Sequence, residues 1–511
     1  LTAKLGIEGG APVVLPLSGD PVSLRGGQVK LRYDRATGEG WSLVSDLTGL
    51  ARGADVLDRL SLSGSGRIGP QTVGGALNLI ATGLAPSDKA LAEALGPFAS
   101  GKMQFYWQKG HPLTVPGLTL GTRDFTTRAR FALGEDLAIS GHFEADHRKL
   151  ASLSALAGRA LSGTVSADLE GRYVLSSGAF DAEAELDATD LHLDQAQADA
   201  FLAGRAQILL SAARDDKGLS LRQLAADAGG ASLRGSGRIS SSESTLSARL
   251  QAQNLGRLGA GYGGAVAVDA TLTGPLNARV LSVNGTGKNM ALPQADLNRL
   301  LAGQSQFTLS LRQNNGTFHL AGLNLSTPQL SASAKPRKDQ PKVFDLSTRL
   351  SNLALLAPGF PGPLAISGSL TDQGARYGLD LRGTGPGGTQ ATVKGTMAAD
   401  ASSVDLAISG RAETALANSF IEPQSVQGPL TFDLALKGAP GLSALSGQIM
   451  GSNLRVAAPT LGQALNDVDL QLKLAKGTAQ LSGQGSFAGG GGLSLSGPVG
   501  LTGPFPAKLS L

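Results

Sequence analysis

This sequence predicts an all-β fold: antiparallel sheet built from degenerate repeats, with a few short helices. Three observations carry that expectation. Apolar and polar residues alternate with a period of two over most of the chain. Residues suited to tight turns stand between the alternating segments. Blocks of the same pattern recur at fixed offsets.

Composition agrees. The 511 residues include 71 Gly, 24 Pro, 15 Phe, 5 Tyr, 2 Trp and no Cys. Charged residues are 16%, below the ~25% of an average globular chain. With 44 Lys+Arg against 40 Asp+Glu the formal net charge is only +4, which excludes an acidic disordered tail and a nucleic-acid-coating basic protein. Aromatics are 4%, too few for the stacking platforms of a nucleic-acid binder, despite a pI near 9.2. Zero cysteine removes disulfides, Cys-based zinc sites and thiol catalysis, and is compatible with an oxidising compartment. The longest uncharged stretches, Ser351–Thr371 and Gly477–Ala507, are broken by Pro and Gly, so neither reads as a membrane-spanning helix. The chain starts at Leu1 without a secretion signal and reads as a soluble fragment of a longer polypeptide.

Along the chain, helical patterns are few: Ser87–Leu95, Arg148–Ala160, Ala295–Leu301 and Thr414–Phe420. Strand patterns are many. Phe180–Ala188 sets Phe, Ala and Leu against Asp181, Glu183, Glu185 and Asp187. Ile208–Ala212 and Leu219–Leu224 flank the turn Asp215-Asp216-Lys217-Gly218. Val266, Val268 and Leu272 alternate with Asp269 and Thr271. Phe307, Leu309 and Leu311 alternate with Thr308, Ser310 and Arg312, and Asn314-Asn315-Gly316 turns them into Phe318–Leu325, which opens with Phe318 and Leu320. Leu430, Phe432, Leu434 and Leu436 oppose Thr431, Asp433, Ala435 and Lys437. Val468, Leu470, Leu472 and Leu474 oppose Asp469, Gln471 and Lys473. Alternate side chains of a strand face opposite sides, so each segment has one apolar and one wet face, as in antiparallel sheets. At about ten residues per strand and turn the chain holds roughly 40 to 50 strands. The insert Lys335–Lys342 reads as a solvated loop, with contact to anionic headgroups as the alternative.

The repeats are specific. Leu202-Ala203-Gly204 returns 99 residues later as Leu301-Ala302-Gly303, with Ile208/Leu210 on Phe307/Leu309 and Leu219/Leu221 on Phe318/Leu320. Gly264-x-Val266-x-Val268-Asp269-x-x-Leu272-x-Gly274 returns 164 residues on as Gly428-x-Leu430-x-Phe432-Asp433-x-x-Leu436-x-Gly438. Shorter forms begin at Gly163 and Gly362. Asn289-Met290-Ala291-Leu292 maps onto Asn453-Leu454-Arg455-Val456 at the same 164-residue offset, and Ser61–Ile68 matches Ser232–Ile239 at seven of eight positions. Units near 100 residues stack on their neighbours rather than form isolated domains.

The apolar stripe has two readings on residues alone: the core of a sandwich, or the lining of an open trough that solvates acyl chains. The Gly-x-Val-x-Val-Asp blocks, the LxGSGRI strands and the stretch Ala188–Ile239 resemble the repeat region of the TamB family, within the AsmA-like group of bridge-like lipid transfer proteins. The resemblance covers most of 163–511, a continuous groove with units starting about 163, 264, 362 and 428, and more weakly 1–162, its N-terminal part. It implies an elongated, curled antiparallel sheet, a β-taco groove, that serves as a non-enzymatic phospholipid conduit between the inner and outer membranes of a Gram-negative envelope, linked to outer-membrane protein assembly and secretion. It also implies a periplasmic location behind an inner-membrane anchor, and a TamA-like outer-membrane barrel as partner. Neither the anchor nor the partner-docking domain is identifiable in these residues. A monomer is expected, with no cofactor, metal or nucleic acid. The groove would be lined by Val266, Val268, Leu272, Phe307, Leu309, Leu311, Phe318, Leu320, Leu430, Phe432, Leu434, Leu436, Leu470, Leu472 and Leu474. Two other readings stand beside it: a secreted β-solenoid adhesin or autotransporter passenger, and a chaperone-like scaffold templating strands at its edge.

Chemical motifs are weak. Gly64-x-Gly66-x-x-Gly69 and Gly383-x-Gly385-x-x-Gly388 match a dinucleotide fingerprint, but no helix start follows, so they read as turns. Among His111, His142, His147, His192 and His319, only His142–His147 (HFEADH) groups metal-ligand types, and it reads as a solvated strand end. Asn284-Gly-Thr286 and Asn315-Gly-Thr317 fit the glycosylation sequon but read as Asn-Gly turns; Asn324-Leu-Ser326 also fits. No nucleophile elbow or phosphate loop occurs, and no enzyme activity is expected.

Overall fold

The computed structural model describes all residues except 8–10, 16–20, 36–38, 315, 488 and 502–505, and the side chains of Leu15 and Leu461. It is an antiparallel β-protein: 32 strands among the described residues, with five short helices. Two compact units emerge, Leu1–Ala260 with Ala267–Arg279, and Gly261–Val266 with Val280–Leu511. In each, strands follow chain order as a meander, except that Thr2–Ile7 and Val13–Leu15 both pair with Val22–Asp34, and Val404–Glu413 pairs past Ser425–Gln427 with Pro429–Gly438; no recorded pairing joins the first strand to the last. The sheets are open, not barrels. Strands run up to 14 residues, longer than expected, and that is why there are 32 and not 40 or more.

In a meander, alternate connections fall on the same edge. Those carrying helices all share one edge in each unit, apart from the one-turn segment Leu442–Ala444. The first unit places α1 (Lys89–Leu95), α2 (Ser154–Ala157), α3 (Ala196–Leu202) and the 3₁₀ turn Leu255–Leu258 there. The second places α4 (Ala295–Leu301), the 3₁₀ turn Leu353–Leu355 and α5 (Asn418–Ile421) there. The opposite edge carries tight hairpins. Asp88 begins α1 by accepting from Ala90 N and Leu91 N at 2.8 and 3.1 Å. The Arg148–Ala160 pattern forms a 3₁₀ turn, Leu150–Leu153, and then α2, ended by the left-handed Gly158. Sequence spacing missed α3, yet α3 and α4 begin 99 residues apart, at Ala196 and Ala295.

The 99-residue repeat is therefore six strands with their edge helices, and it holds atom by atom. Asp190 and Asn289 both take positive φ, +50° and +49°. Each side chain accepts from a glycine N–H beyond the helix, Gly204 at 2.9 Å and Gly303 at 3.1 Å. Inside the helices, Asp199 and Asn298 accept from Leu193 N and Leu292 N at 2.7 and 2.6 Å. The block-opening Gly264 has φ +83°, and a Cβ there would lie 2.3 Å from Asn289 O. Gly163 repeats this against Asp190 O at 2.5 Å. Only glycine fits either place. A bulge recurs as well: Arg222 and Ala321, 99 residues apart, are the extra residues where the register shifts.

Several local expectations need correction. Lys335–Lys342 is not a loop: strands run to Arg337 and from Gln340, leaving a two-residue tip. Gly64 and Gly66 sit inside the strand Asp55–Ile68, not in a turn. Asn284 and Gly285 lie mid-strand in Val280–Ala291, while Asn315 is outside the described residues, between the paired Asn314 and Thr317. His147 is not solvated: it is 8% exposed and packs against Phe125 with ring centroids 5.9 Å apart. His142 and His147, five apart on one strand, face opposite sides.

Candidate functional site

The candidate site is the apolar face. In the second unit, Leu430, Phe432, Leu434 and Leu436 stand opposite Ala412, Gly410, Ile408 and Leu406 on one side, and Gly451, Ile449, Gly447 and Leu445 on the other. Leu470, Leu472 and Leu474 continue the row against Gly451, Ile449 and Gly447. Gly483, Leu481 and Ala479 extend it. Phe307, Leu309 and Leu311 face Gly285, Val283 and Leu281, with Leu325, Leu323 and Leu320 beyond. The bulge at Ala321 explains a parity change in the sequence: it returns the even-numbered Phe318 and Leu320 to the same face as the odd-numbered Leu323 and Leu325. Val266, Val268 and Leu272 are half-buried while Asp269, Thr271 and Thr273 between and beside them are exposed. All fifteen side chains expected to line a groove thus stand on strand faces shared with other apolar residues. Phe318 is the outlier in burial, 41% exposed at a hairpin tip, while Leu474 is buried.

This face is not an ordinary core. Among the described residues 22 apolar side chains are buried and twelve of them are alanines, so few large side chains are covered. The accessible surface is 29528 Å², against about 17,000 Å² for a compact chain of this mass. Such an excess leaves the aliphatic row half covered, where typical monomers expose patches of only about 300–600 Å².

Glycines shape the face. A Cβ at Gly395 would lie 2.0 Å from Asp405 O, at Gly368 2.1 Å from Asp380 O and at Gly447 2.2 Å from Asp433 O. Each stands where the alternation calls for an aliphatic, as in Ile366-x-Gly368-x-Leu370 and Val393-x-Gly395-x-Met397. Adjacent strands approach too closely at these points for even a methyl group. At Gly285 the Phe307 ring fills the vacated space, and in the first unit Trp41 does so over Gly64, Gly66 and Gly75, its Nε1 donating to Gly74 O at 3.2 Å. Sequence reasoning missed these positions, although the interrupted alternation was there to be read.

It also missed two apolar recesses where edge helices overhang the sheet. In the second unit a cavity of about 400 Å³ lies among Leu353, Phe360, Ile366, Leu381 and Val393, and the Phe360 ring meets Phe420 at 5.5 Å. In the first, about 350 Å³ lies among Leu50, Leu57 and Leu84 of the sheet and Leu91 and Leu95 of α1. Phe360 came from the uncharged stretch read only as too broken to span a membrane.

The other face is wet and ionic. Arg222, the bulge residue, reaches Asp181 at 2.6 Å, and its hydrogen bond holds that carboxyl below the usual carboxylate range. Arg234–Asp227 at 2.7 Å, Lys394–Asp380 at 3.5 Å and Lys437–Asp405 at 3.6 Å repeat the arrangement. Such exposed cross-strand pairs set register and solubility more than stability. His142 Nε2 lies 3.4 Å from both Glu144 and Asp168, near enough to share an ion, but Arg128 already approaches Glu144 at 3.4 Å. His147 faces the apolar side, where burial pushes its pKa down against the opposing pull of Asp124. No helix among the described residues is long and apolar enough to cross a membrane. No family model matches the chain, and no curated protein matches it.

Proposed function

We propose that this chain is a non-enzymatic phospholipid conduit of the TamB type, part of an inner-membrane-anchored periplasmic protein serving the outer membrane with a TamA-like barrel as partner. One observation carries the reading: a row of aliphatic side chains continuous from strand to strand, with far more accessible surface than a closed core leaves. Acyl chains would lie on Leu, Val and Phe, with headgroups in water at the sheet edges. Movement would be diffusion along an apolar path with few specific contacts, because every strand repeats the same chemistry. A parallel β-solenoid passenger suits the molecule less well, since every recorded strand pairing is antiparallel. The strand-templating scaffold has no particular observation in its favour.

Both tryptophans provide the test. Trp41 pairs with Gly66 and Trp107 with Val73, so both stand on the apolar face of the first unit. Phospholipids brominated on the acyl chains should quench both indoles, and brominated soluble alcohols at the same bromine concentration should quench much less. Equal quenching by the two would refute the reading.

A further inference from the structure

We propose that the basic ends of two hairpins of the second unit, which carry Arg312 and Lys335–Lys342, form a dock for an anionic phospholipid bilayer surface. The choice of partner rests on the lipid-conduit reading; the charge pattern does not. From Arg312 to Asp345 the chain has five cations and two carboxylates, a surplus of +3 within a protein whose total is +4. Elsewhere a minority of basic groups is neutralised, as in Arg222–Asp181 and Arg234–Asp227. Here only Arg337 is, by Asp345 at 2.8 Å. Arg312, Lys335, Lys338 and Lys342 are exposed and make no ion pair among the described residues. The strands on either side fix Lys338 at a two-residue apex, so the charges are presented by ordered backbone.

An aromatic completes the surface. Phe318, 41% exposed, lies near the end of the first hairpin, where the next residue, His319, pairs with Arg312. Clustered cations and an exposed ring suit the headgroup layer, where anionic lipid attracts Lys and Arg and the ring enters the acyl boundary. Nucleic acid would need a row of exposed rings for stacking, and these tips expose only Phe318 and His319, with Phe344 half-buried. A dock at the hairpin ends of these strands would let a headgroup be held while its chains enter the groove.

The test sediments the full chain with vesicles of phosphatidylcholine alone or mixed with phosphatidylglycerol. The expected result is at least tenfold tighter binding to the anionic vesicles, weakening as salt shortens the screening length below about 10 Å. Replacing Arg312, Lys335, Lys338 and Lys342 by Gln should cost about fivefold per charge while leaving chain-brominated quenching of Trp41 and Trp107 intact. Asp339→Asn, which removes a carboxylate and asks nothing of the fold, should tighten anionic binding. Equal binding of the unaltered chain to both vesicles would overturn the dock, as would an undiminished preference in the four-Gln chain, or tighter binding of an RNA duplex than of anionic vesicles. Anionic preference without acyl-chain quenching would support the dock and sink the conduit reading instead.

Discussion

Two neighbouring glycines give a sharp test of why this sequence repeats as it does. Gly264 opens the repeat block with φ +83°, and a Cβ there would lie 2.3 Å from Asn289 O and 2.5 Å from Lys288 O. Gly263 precedes it without that backbone conformation, and its Cβ would touch only Ala291 Cβ at 3.5 Å. For Gly264→Ala, positive φ costs an L-residue about 1–2 kcal/mol. Forcing two carbonyls aside costs about 1–3 kcal/mol more. A total near 3 kcal/mol raises local opening on the order of a hundredfold. Gly263→Ala should change stability by about 1 kcal/mol or less, in the stabilising direction, through lost freedom of the unfolded chain. Global melting of a repeat array is not all-or-none, so hydrogen exchange of peptides from Gly263–Gly274 and Val280–Ala291 is the suitable assay. Exchange rates for the two variants within threefold of each other would refute the steric account of the repeat.

Three further outcomes follow from the same geometry. His147 has its pKa lowered by burial, so the unfolded chain takes up a proton before the folded one does. Stability around Ala138–His147 should be full above about pH 6.5 and fall as pH drops through the lowered folded value, and His147→Phe should flatten that dependence in hydrogen exchange. Asn289→Ala removes the acceptor of Gly303 N–H and leaves an alanine at φ +49°, so exchange in α4 should rise by a factor matching about 2 kcal/mol; an unchanged α4 would contradict the repeat lock. For Asp181, held below its ordinary pKa first by the hydrogen bond from Arg222, the pair's contribution is present at neutral pH and is lost as pH falls through the folded value. Arg222→Ala should return the Asp181 titration to the ordinary carboxylate range by NMR, with little effect on melting at pH 7 because the pair is exposed.

The alternation Leu430–Leu436 and Leu470–Leu474 was legible because a strand with one wet face must alternate, and the register places both on one row. Ala295–Leu301 appears as a helix with the bounds the pattern suggests. What sequence left hidden is what depends on a neighbouring strand. Gly395 and Gly447 look like gaps in an aliphatic stripe until their contacts with Asp405 O and Asp433 O are seen. Ala321 looks ordinary, yet as the extra residue of a bulge it decides which way Phe318 and Leu320 point. The helix α3 has weak local signals, but the 99-residue offset onto α4 contained it. Lys335–Lys342 was misread because its two prolines and polar residues resemble a loop, and pairing across a two-residue tip overrode that composition.

The central claim is that the apolar face holds acyl chains, and it is tested most directly by identifying lipid on the protein itself. The chain would be purified from a Gram-negative periplasm without detergent and its bound lipid extracted and identified by mass spectrometry. Several phospholipids per chain are expected, and they should be lost when Leu434 and Leu472, half-buried on the aliphatic row, are replaced by Glu in a still-folded protein. Replacing the outward Asp433 and Gln471 by Lys should leave the lipid in place. A lipid-free, monodisperse protein with unaltered side chains would contradict the account.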